Sequence, residues 1–237
     1  MPVNLSQNHI IFPDIAEADD DGLLALGGNL EISTLLSAYK KGIFPWYSDE
    51  YPIMWWSPDP RMVLFPQKFI LSKSLKHTLA QNTFEVKFDH DFKSVIEYCS
   101  SVRRKDQDDT WITSEMEKAY LNLHYAGFAH SVETYRNGKL AGGLYGVSLG
   151  KAFFGESMFF LQRDASKVAL YHLVNLLLKW DFHFIDAQVE TKHLKSLGAE
   201  MIPRTDFFIH LEKALLEPTL QGNWSQLMNS KTEIHHE

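Results

Sequence analysis

The spacing of apolar and polar residues changes period several times along the chain, and each change predicts an element. Over residues 32–41 the apolar positions Leu35, Leu36 and Tyr39 recur at helical spacing, and Gly42 is placed to end that helix. The stretches Gly42-Ile43-Phe44-Pro45-Trp46-Tyr47 and Trp55-Trp56-Ser57-Pro58-Asp59-Pro60-Arg61 have no such period. Prolines 52, 58 and 60 lack amide donors and push their predecessors toward extended backbone. This segment is therefore predicted to be an irregular, aromatic-loaded connection, with a domain boundary near Pro60. Residues 70–127 read as mainly helical, most clearly over 91–101 and 114–125.

A period of two takes over beyond residue 128. Alternating runs at 129–136 and 139–149 flank Asn137-Gly138, whose residues both accept the positive φ of a tight hairpin turn, and a third run at 151–160 completes a meander. Residues 164–179 return to helical period through Val168, Leu170, Tyr171, Val174, Leu177 and Leu178, with Asp164 or Ser166 available as N-cap. A short strand over 183–189, a polar helix over 191–197 closed by Gly198, and a helix over 207–216 follow. The predicted fold class is α+β. A small N-terminal domain, residues 1–60, precedes an acetyltransferase-like (GNAT-type) mixed sheet with flanking helices, residues 61–237, an assignment by analogy of element order.

Composition narrows the function classes. With 45% hydrophobic and 22% charged residues among 237, the chain can bury a substantial core. Its 23 Lys and Arg against 30 Asp and Glu leave a net charge of -7, so contact with a polyanion must be local. Basic residues do gather at Lys40-Lys41, at Lys73, Lys76 and His77, and at Arg103-Arg104-Lys105. One cysteine, Cys99, in an apolar helical stretch, excludes an internal disulfide and reads as core. The N-terminus lacks the pattern of a signal peptide, and no apolar run reaches the roughly 18 residues of a spanning helix, so the expected location is cytoplasmic, with no membrane partner.

Several familiar chemistries are missing. There is no GxxxxGK[ST] loop, HExxH, paired CxxC or GxSxG elbow, and His235-His236 reads as tail rather than as a metal site. Residues 160–165 also lack the Gly-rich turn that would hold the pyrophosphate of acetyl-CoA. What remains is a set of polar residues in apolar surroundings. Asp186 and Gln188, two apart on a strand, project from one face on the parity of Phe182 and Phe184. They either emerge into solvent where the strand stops or form a carboxylate–amide pair able to receive an amine. Strict alternation puts Glu156 beside Phe154 and Met158, where a carboxylate is costly unless paired or given a task. Trp46, Trp55, Trp56, Trp111, Phe153 and Phe154 are either core or the lining of an apolar cavity.

Taken in order, Asp21-Gly22-Leu23-Leu24-Ala25-Leu26-Gly27-Gly28, Gly42-Ile43-Phe44-Pro45-Trp46, Trp55 to Arg61, Thr110-Trp111-Ile112-Thr113, Gly155-Glu156-Ser157-Met158-Phe159 and Ile185-Asp186-Ala187-Gln188 closely resemble the leucyl/phenylalanyl-tRNA-protein transferase family. The resemblance runs from about Phe12 to Arg204. It implies transfer of Leu or Phe, and less readily Met, from aminoacyl-tRNA to the N-terminal α-amine of proteins beginning with Arg or Lys, which marks them for degradation as an N-degron. It further implies an apolar pocket for the aminoacyl side chain on Trp46, Trp111, Leu144 and Phe153, and Ser157 is expected to join the substrate site. On the physical logic of that transfer, Asp186 is expected to hydrogen-bond or deprotonate the attacking amine, Gln188 to orient it, and Glu156 to help hold the reacting end or the cationic acceptor. Lys73, Lys76, Arg103 and Arg104 are the expected tRNA contacts. The expected partners are Leu-tRNA, Phe-tRNA and the acceptor protein, with the chain acting as a monomer. No cofactor or metal is expected, because an aminoacyl ester is already activated and an α-amine has a reference pKa of about 8. The rival readings are an acetyl-CoA-dependent N-acetyltransferase, its aminoacyl-tRNA-dependent relatives in peptidoglycan bridge formation, and a non-catalytic RNA-binding module.

Overall fold

A computed structural model describes residues 2–102 and 112–233. In chain order the elements are β1 (Val3–Leu5), β2 (Leu23–Gly27), α1 (Ile32–Lys40), β3 (Phe44–Pro45), β4 (Met54–Trp56), β5 (Arg61–Leu64), α2 (Lys73–Ala80), β6 (Glu85–Phe88), α3 (Phe92–Ser101), α4 (Ser114–Tyr125), β7 (Ala129–Arg136), β8 (Lys139–Leu149), β9 (Ala152–Phe160), α5 (Ala165–Lys179), β10 (Phe184–Gln188), α6 (Lys192–Ser196), β11 (Glu200–Ile202), α7 (Arg204–Leu215) and α8 (Trp224–Glu233). They build two sheets, a four-stranded one in the order β1-β2-β4-β3 and a seven-stranded one in the order β11-β5-β10-β9-β8-β7-β6. The larger sheet is mixed, with β9 and β10 parallel. The fold class is α+β, as predicted.

Helices cover both faces of the larger sheet. On one face α3, α4 and α7 deliver Phe92, Val95, Ile96, Met116, Tyr120, Leu123, Phe207 and Leu211 to a core that also takes Val63, Phe154 and Phe184 from the strands. This core continues without a break into the N-terminal part through Leu24, Phe44 and Trp55 of its sheet and Leu35 and Tyr39 of α1. On the other face α5 and α8 bring Leu170, Leu173, Leu177 and Trp224 against Met62, Leu64, Leu144, Phe153 and Ile185. Predicted helices at 91–101 and 114–125 start where a side chain caps the first turn: the Asp91 carboxylate accepts from the Ser94 amide at 3.2 Å and the Thr113 hydroxyl from the Met116 amide at 3.2 Å. Gly42 ends α1 at φ +65°, and a Cβ there would lie 2.8 Å from the Phe207 ring, so the same glycine lets the N-terminal sheet close on α7.

Four expectations are corrected. Residues 43–60 are not an irregular connection throughout, because β3 and β4 lie inside them; prolines 52, 58 and 60 fall outside the strands, and Pro45 ends the two-residue β3. In β4 the adjacent tryptophans take opposite sides: Trp55 is fully buried against Phe12, while half-buried Trp56 donates its indole N–H to the Trp46 carbonyl at 2.7 Å. The mainly helical stretch contains an edge strand, β6, which pairs with β7. At α5, Asp164 occupies the cap position at φ 65° but makes no capping hydrogen bond, and its carboxylate instead meets Lys167 Nζ at 3.0 Å. The last predicted helix begins earlier, at Arg204.

Candidate active site

β9 and β10 pair over only three residues, from Phe184↔Ala152 to Asp186↔Phe154, and then part while β9 runs on to Phe160. Each strand is irregular where they separate. In β9 a bulge sets Tyr145 opposite Ser157 and Gly146 opposite Gly155, leaving Glu156 as the extra residue. The bulge turns Glu156 toward the phenols of α1 and α4, the face that carries Phe154, whereas Met158 packs on the opposite face beside Leu144. Strict alternation would have placed Met158 with Glu156. Gly146 is required here, since a Cβ would come within 2.2 Å of the Phe154 carbonyl oxygen. In β10 a second irregularity falls between Asp186 and Gln188, and Gln188 takes φ +63°, a left-handed conformation uncommon for a residue with a side chain. The parity inferred for Phe182 also fails, because β10 begins only at Phe184 and Phe182 packs in the opposite core.

These distortions bring Asp186, Gln188 and Glu156 into one hydrogen-bonded cluster. Gln188 Nε2 donates to Glu156 Oε1 at 3.0 Å, and the Gln188 amide donates to Asp186 Oδ1 at 2.9 Å. Two further residues, unassigned from the sequence, complete the Glu156 shell: the Tyr39 hydroxyl donates to Oε1 at 2.7 Å and the Tyr120 hydroxyl to Oε2 at 2.9 Å. Those hydroxyls also lie 2.5 Å from each other. Two phenolic protons cannot serve all three contacts among the two hydroxyls and the carboxylate at once, so one contact lacks a donor while Glu156 is ionised. Burial pushes the Glu156 carboxyl up to about 7 against the hydrogen bonds from both tyrosines, and the neighbouring Asp186 carboxylate adds to the rise. Tyr39 and Tyr120 stay protonated, their pKa values raised chiefly by burial. Tyr39 falls on the helical spacing of residues 32–41 and Tyr120 inside the predicted helix 114–125, and neither stands out there as a site residue. The available signal was that buried phenols and a buried acid each need a partner.

The aromatic and aliphatic candidates divide between the faces. Leu144 and Phe153 lie in the α5-side core with Leu170, Leu173 and Ile185, next to the point where β9 and β10 part. Gly155, at that point, would place a Cβ only in ordinary contact with Ile185 and the Asp186 carbonyl, both at 3.6 Å. Ser157 is buried beside Glu156. Trp46 is half-buried on the other core, 5.8 Å from Trp56, so the described residues do not join it with Leu144 and Phe153 in one pocket. Lys73 and Lys76 are exposed on α2. Trp111, Arg103, Arg104, His235 and His236 lie outside the described residues. A groove of about 450 Å³ between β11 and α7, lined by Phe65, Glu200, Ile202 and Ile209 among others, contains none of the cluster residues. Among the described residues no helix is long and apolar enough to cross a membrane.

Residues 63–212 match the family model for leucyl/phenylalanyl-tRNA protein transferase, and residues 28–59 match that for the family's N-terminal domain. The chain belongs to the leucyl/phenylalanyl-tRNA-protein transferase family. It is 55% identical over 225 residues to the transferase of Desulfatibacillum aliphaticivorans, covering 95% of this chain and 97% of that one. It is 52% identical over 228 residues to the transferase of Myxococcus xanthus, covering 95% and 97%. Among solved structures, an aminoglycoside acetyltransferase from an uncultured soil sample aligns with a TM-score of 0.37 at 11% identity, over 47% of this chain and 80% of that one. The enzyme is thus an aminoacyltransferase that uses aminoacyl-tRNA and protein substrates, and the cluster at the parting strands holds every residue expected to be catalytic.

Proposed function

We propose that the enzyme transfers Leu or Phe, and less readily Met, from its tRNA ester to the α-amine of proteins beginning with Arg or Lys, in the cytoplasm, and so creates a degradation signal. The observation that carries this reading is the convergence of Glu156, Gln188 and Asp186 where β9 and β10 part; the proposed side-chain site is the apolar cluster of Leu144, Phe153, Leu170, Leu173 and Ile185, which packs on the other face of the sheet at the same point. The donor's side chain enters that site at Gly155, next to Ser157, and Trp46 and Trp111 are further contacts that the family resemblance implies. Its ester carbonyl is then held beside the Glu156–Gln188 pair.

The amine nitrogen attacks the carbonyl carbon, a C–N bond forms, and the C–O bond to the terminal ribose breaks. The proton released from nitrogen passes to Glu156 or solvent, and the departing ribose oxygen takes up a proton. Positioning supplies most of the acceleration, since the ester is already activated. Glu156 in its ionised form suits both the amine and a cationic Arg or Lys side chain. The sequence leaves Asp186 as either base or holder. Its acceptance of both Arg61 contacts and the Gln188 amide favours the holder.

The test incubates the protein with labelled Leu-tRNA and two peptides that differ only in their first residue, Arg or Asp. The Arg peptide gains one leucine and the Asp peptide none. Equal labelling of both, or of neither, refutes the acceptor assignment.

A further inference from the structure

Arg61, the first residue of β5, is a cation buried inside an apolar run. Alternation along β5 puts Met62 and Leu64 in the α5-side core and Val63 in the opposite one, so Arg61 shares the face of Val63, whose register partner is Asp186. Its side chain is 1% exposed. Nε donates to Asp186 Oδ1 at 2.9 Å and Nη2 to Oδ2 at 2.7 Å, a two-pronged contact that fixes the plane of the carboxylate as well as its position. The guanidinium is clamped between the rings of Phe44 and Phe207, at 4.7 and 4.8 Å from their centroids. One ring comes from the N-terminal sheet and the other from α7, so the cation is held by both parts of the molecule.

The held carboxylate has a further contact. Asp186 Oδ1 also accepts the backbone N–H of Gln188, the residue in the left-handed conformation, and that turn directs the Gln188 amide to Glu156. A left-handed backbone is disfavoured for a residue with a side chain, so it persists only where neighbouring contacts impose it. The contacts form a continuous path from Phe44 and Phe207 through Arg61, Asp186 and Gln188 to Glu156.

We propose that Arg61 is a positioning residue for aminoacyl transfer: its planar fork sets the Asp186 carboxylate so that the Gln188 turn presents its amide at the reacting centre. Arg61 touches neither substrate and acts through Asp186. This rests on the reading of the Asp186–Gln188–Glu156 cluster as the transfer site.

Arg61→Lys keeps the charge and removes the fork. In the full-length enzyme, single-turnover transfer from Leu-tRNA to an Arg-initiated peptide is expected to slow by about 10²-fold, the size of effect that an ångström-scale misplacement produces. Leu-tRNA affinity is expected to stay within about twofold, because the lesion lies in positioning rather than binding. In an Asp186→Asn background the same substitution is expected to add less than about threefold, since residues acting through one contact are not additive. A folded Arg61→Lys enzyme with a near-normal transfer rate overturns the proposal, and so does a full additional loss in the Asp186→Asn background.

Should Arg61→Lys fail to fold, the neutral pair Arg61→Gln/Asp186→Asn carries the test, because it leaves no buried charge unpaired. That protein is expected to bind Leu-tRNA normally and transfer slowly, and a normal rate overturns the proposal. Gln188→Ala separates the two layers of argument. If it transfers at the normal rate, the site reading itself fails. If it is slow while Arg61→Lys is normal, only the role of Arg61 is lost.

Discussion

Glu156 is a carboxylic acid held by two phenols and an amide, with burial bringing its titration to about 7. The consequence is a pH dependence with a definite sign. Below about 7 the acid keeps its proton and completes the contacts with Tyr39 and Tyr120; above it, the carboxylate is free to accept from an incoming amine. Transfer should therefore rise as pH increases through about 7, followed by the separate rise as the acceptor amine itself deprotonates near its reference pKa of about 8. Glu156→Gln cannot titrate, so its rate–pH profile should lose the step near 7 and keep the one near 8. A variant profile that retains both steps would assign the lower one to another group. The acid and the amide could be picked out from the sequence because polar residues in the apolar runs 153–160 and 182–189 needed a purpose. Arg61 carried the same signal, a lone cation ahead of Met62-Val63-Leu64-Phe65, and its complement was the one acid in the 182–189 run. Pairing those two buried charges was possible in principle but required knowing that the strands are neighbours.

At the scale of elements, legibility followed length. The runs that became α1, α3, α4, α5 and β7 to β9 span enough residues to display their period, and they were readable. β5, β6 and β11 have only three or four residues, too few to show alternation, and owe their structure to the partners beside them. This cost most at β5, which sits in the larger sheet between β10 and β11 and carries Arg61. The irregularities in β9 and β10 were invisible for a related reason: a single extra residue shifts which face follows, and nothing in the composition of Gly155-Glu156-Ser157 announces it. The same parting of β9 and β10 gives the lining a testable selectivity. Leu144→Ala enlarges the space beside Phe153, which should favour the larger donor. The ratio of kcat/KM for Phe-tRNA over Leu-tRNA is expected to rise by about tenfold, within the roughly 1–3 kcal/mol that one or two methylenes decide in an apolar site. An unchanged ratio would remove Leu144 from the side-chain site.

For the whole molecule, the net charge of -7 means that tRNA must be captured by a local patch rather than by the general field. Lys73 and Lys76 project from the exposed side of α2. If they meet phosphates, replacing both with Ala should weaken Leu-tRNA binding and flatten the plot of log affinity against log salt by about one to two units. An unaltered slope would place the tRNA elsewhere. The two sheets share a continuous core, and Tyr39 of α1 and Phe44 of β3 reach Glu156 and Arg61 respectively. The N-terminal segment thus helps build the site. The most direct test of the central claim is to charge the tRNA with a photoreactive diazirine analogue of leucine, irradiate the complex and map the adducts by mass spectrometry. Attachment is expected on Leu144, Phe153, Met158 or Ile185, beside the acid–amide cluster. Attachment confined to the groove of Phe65 and Ile209, or to the outer surface of α2, would contradict it.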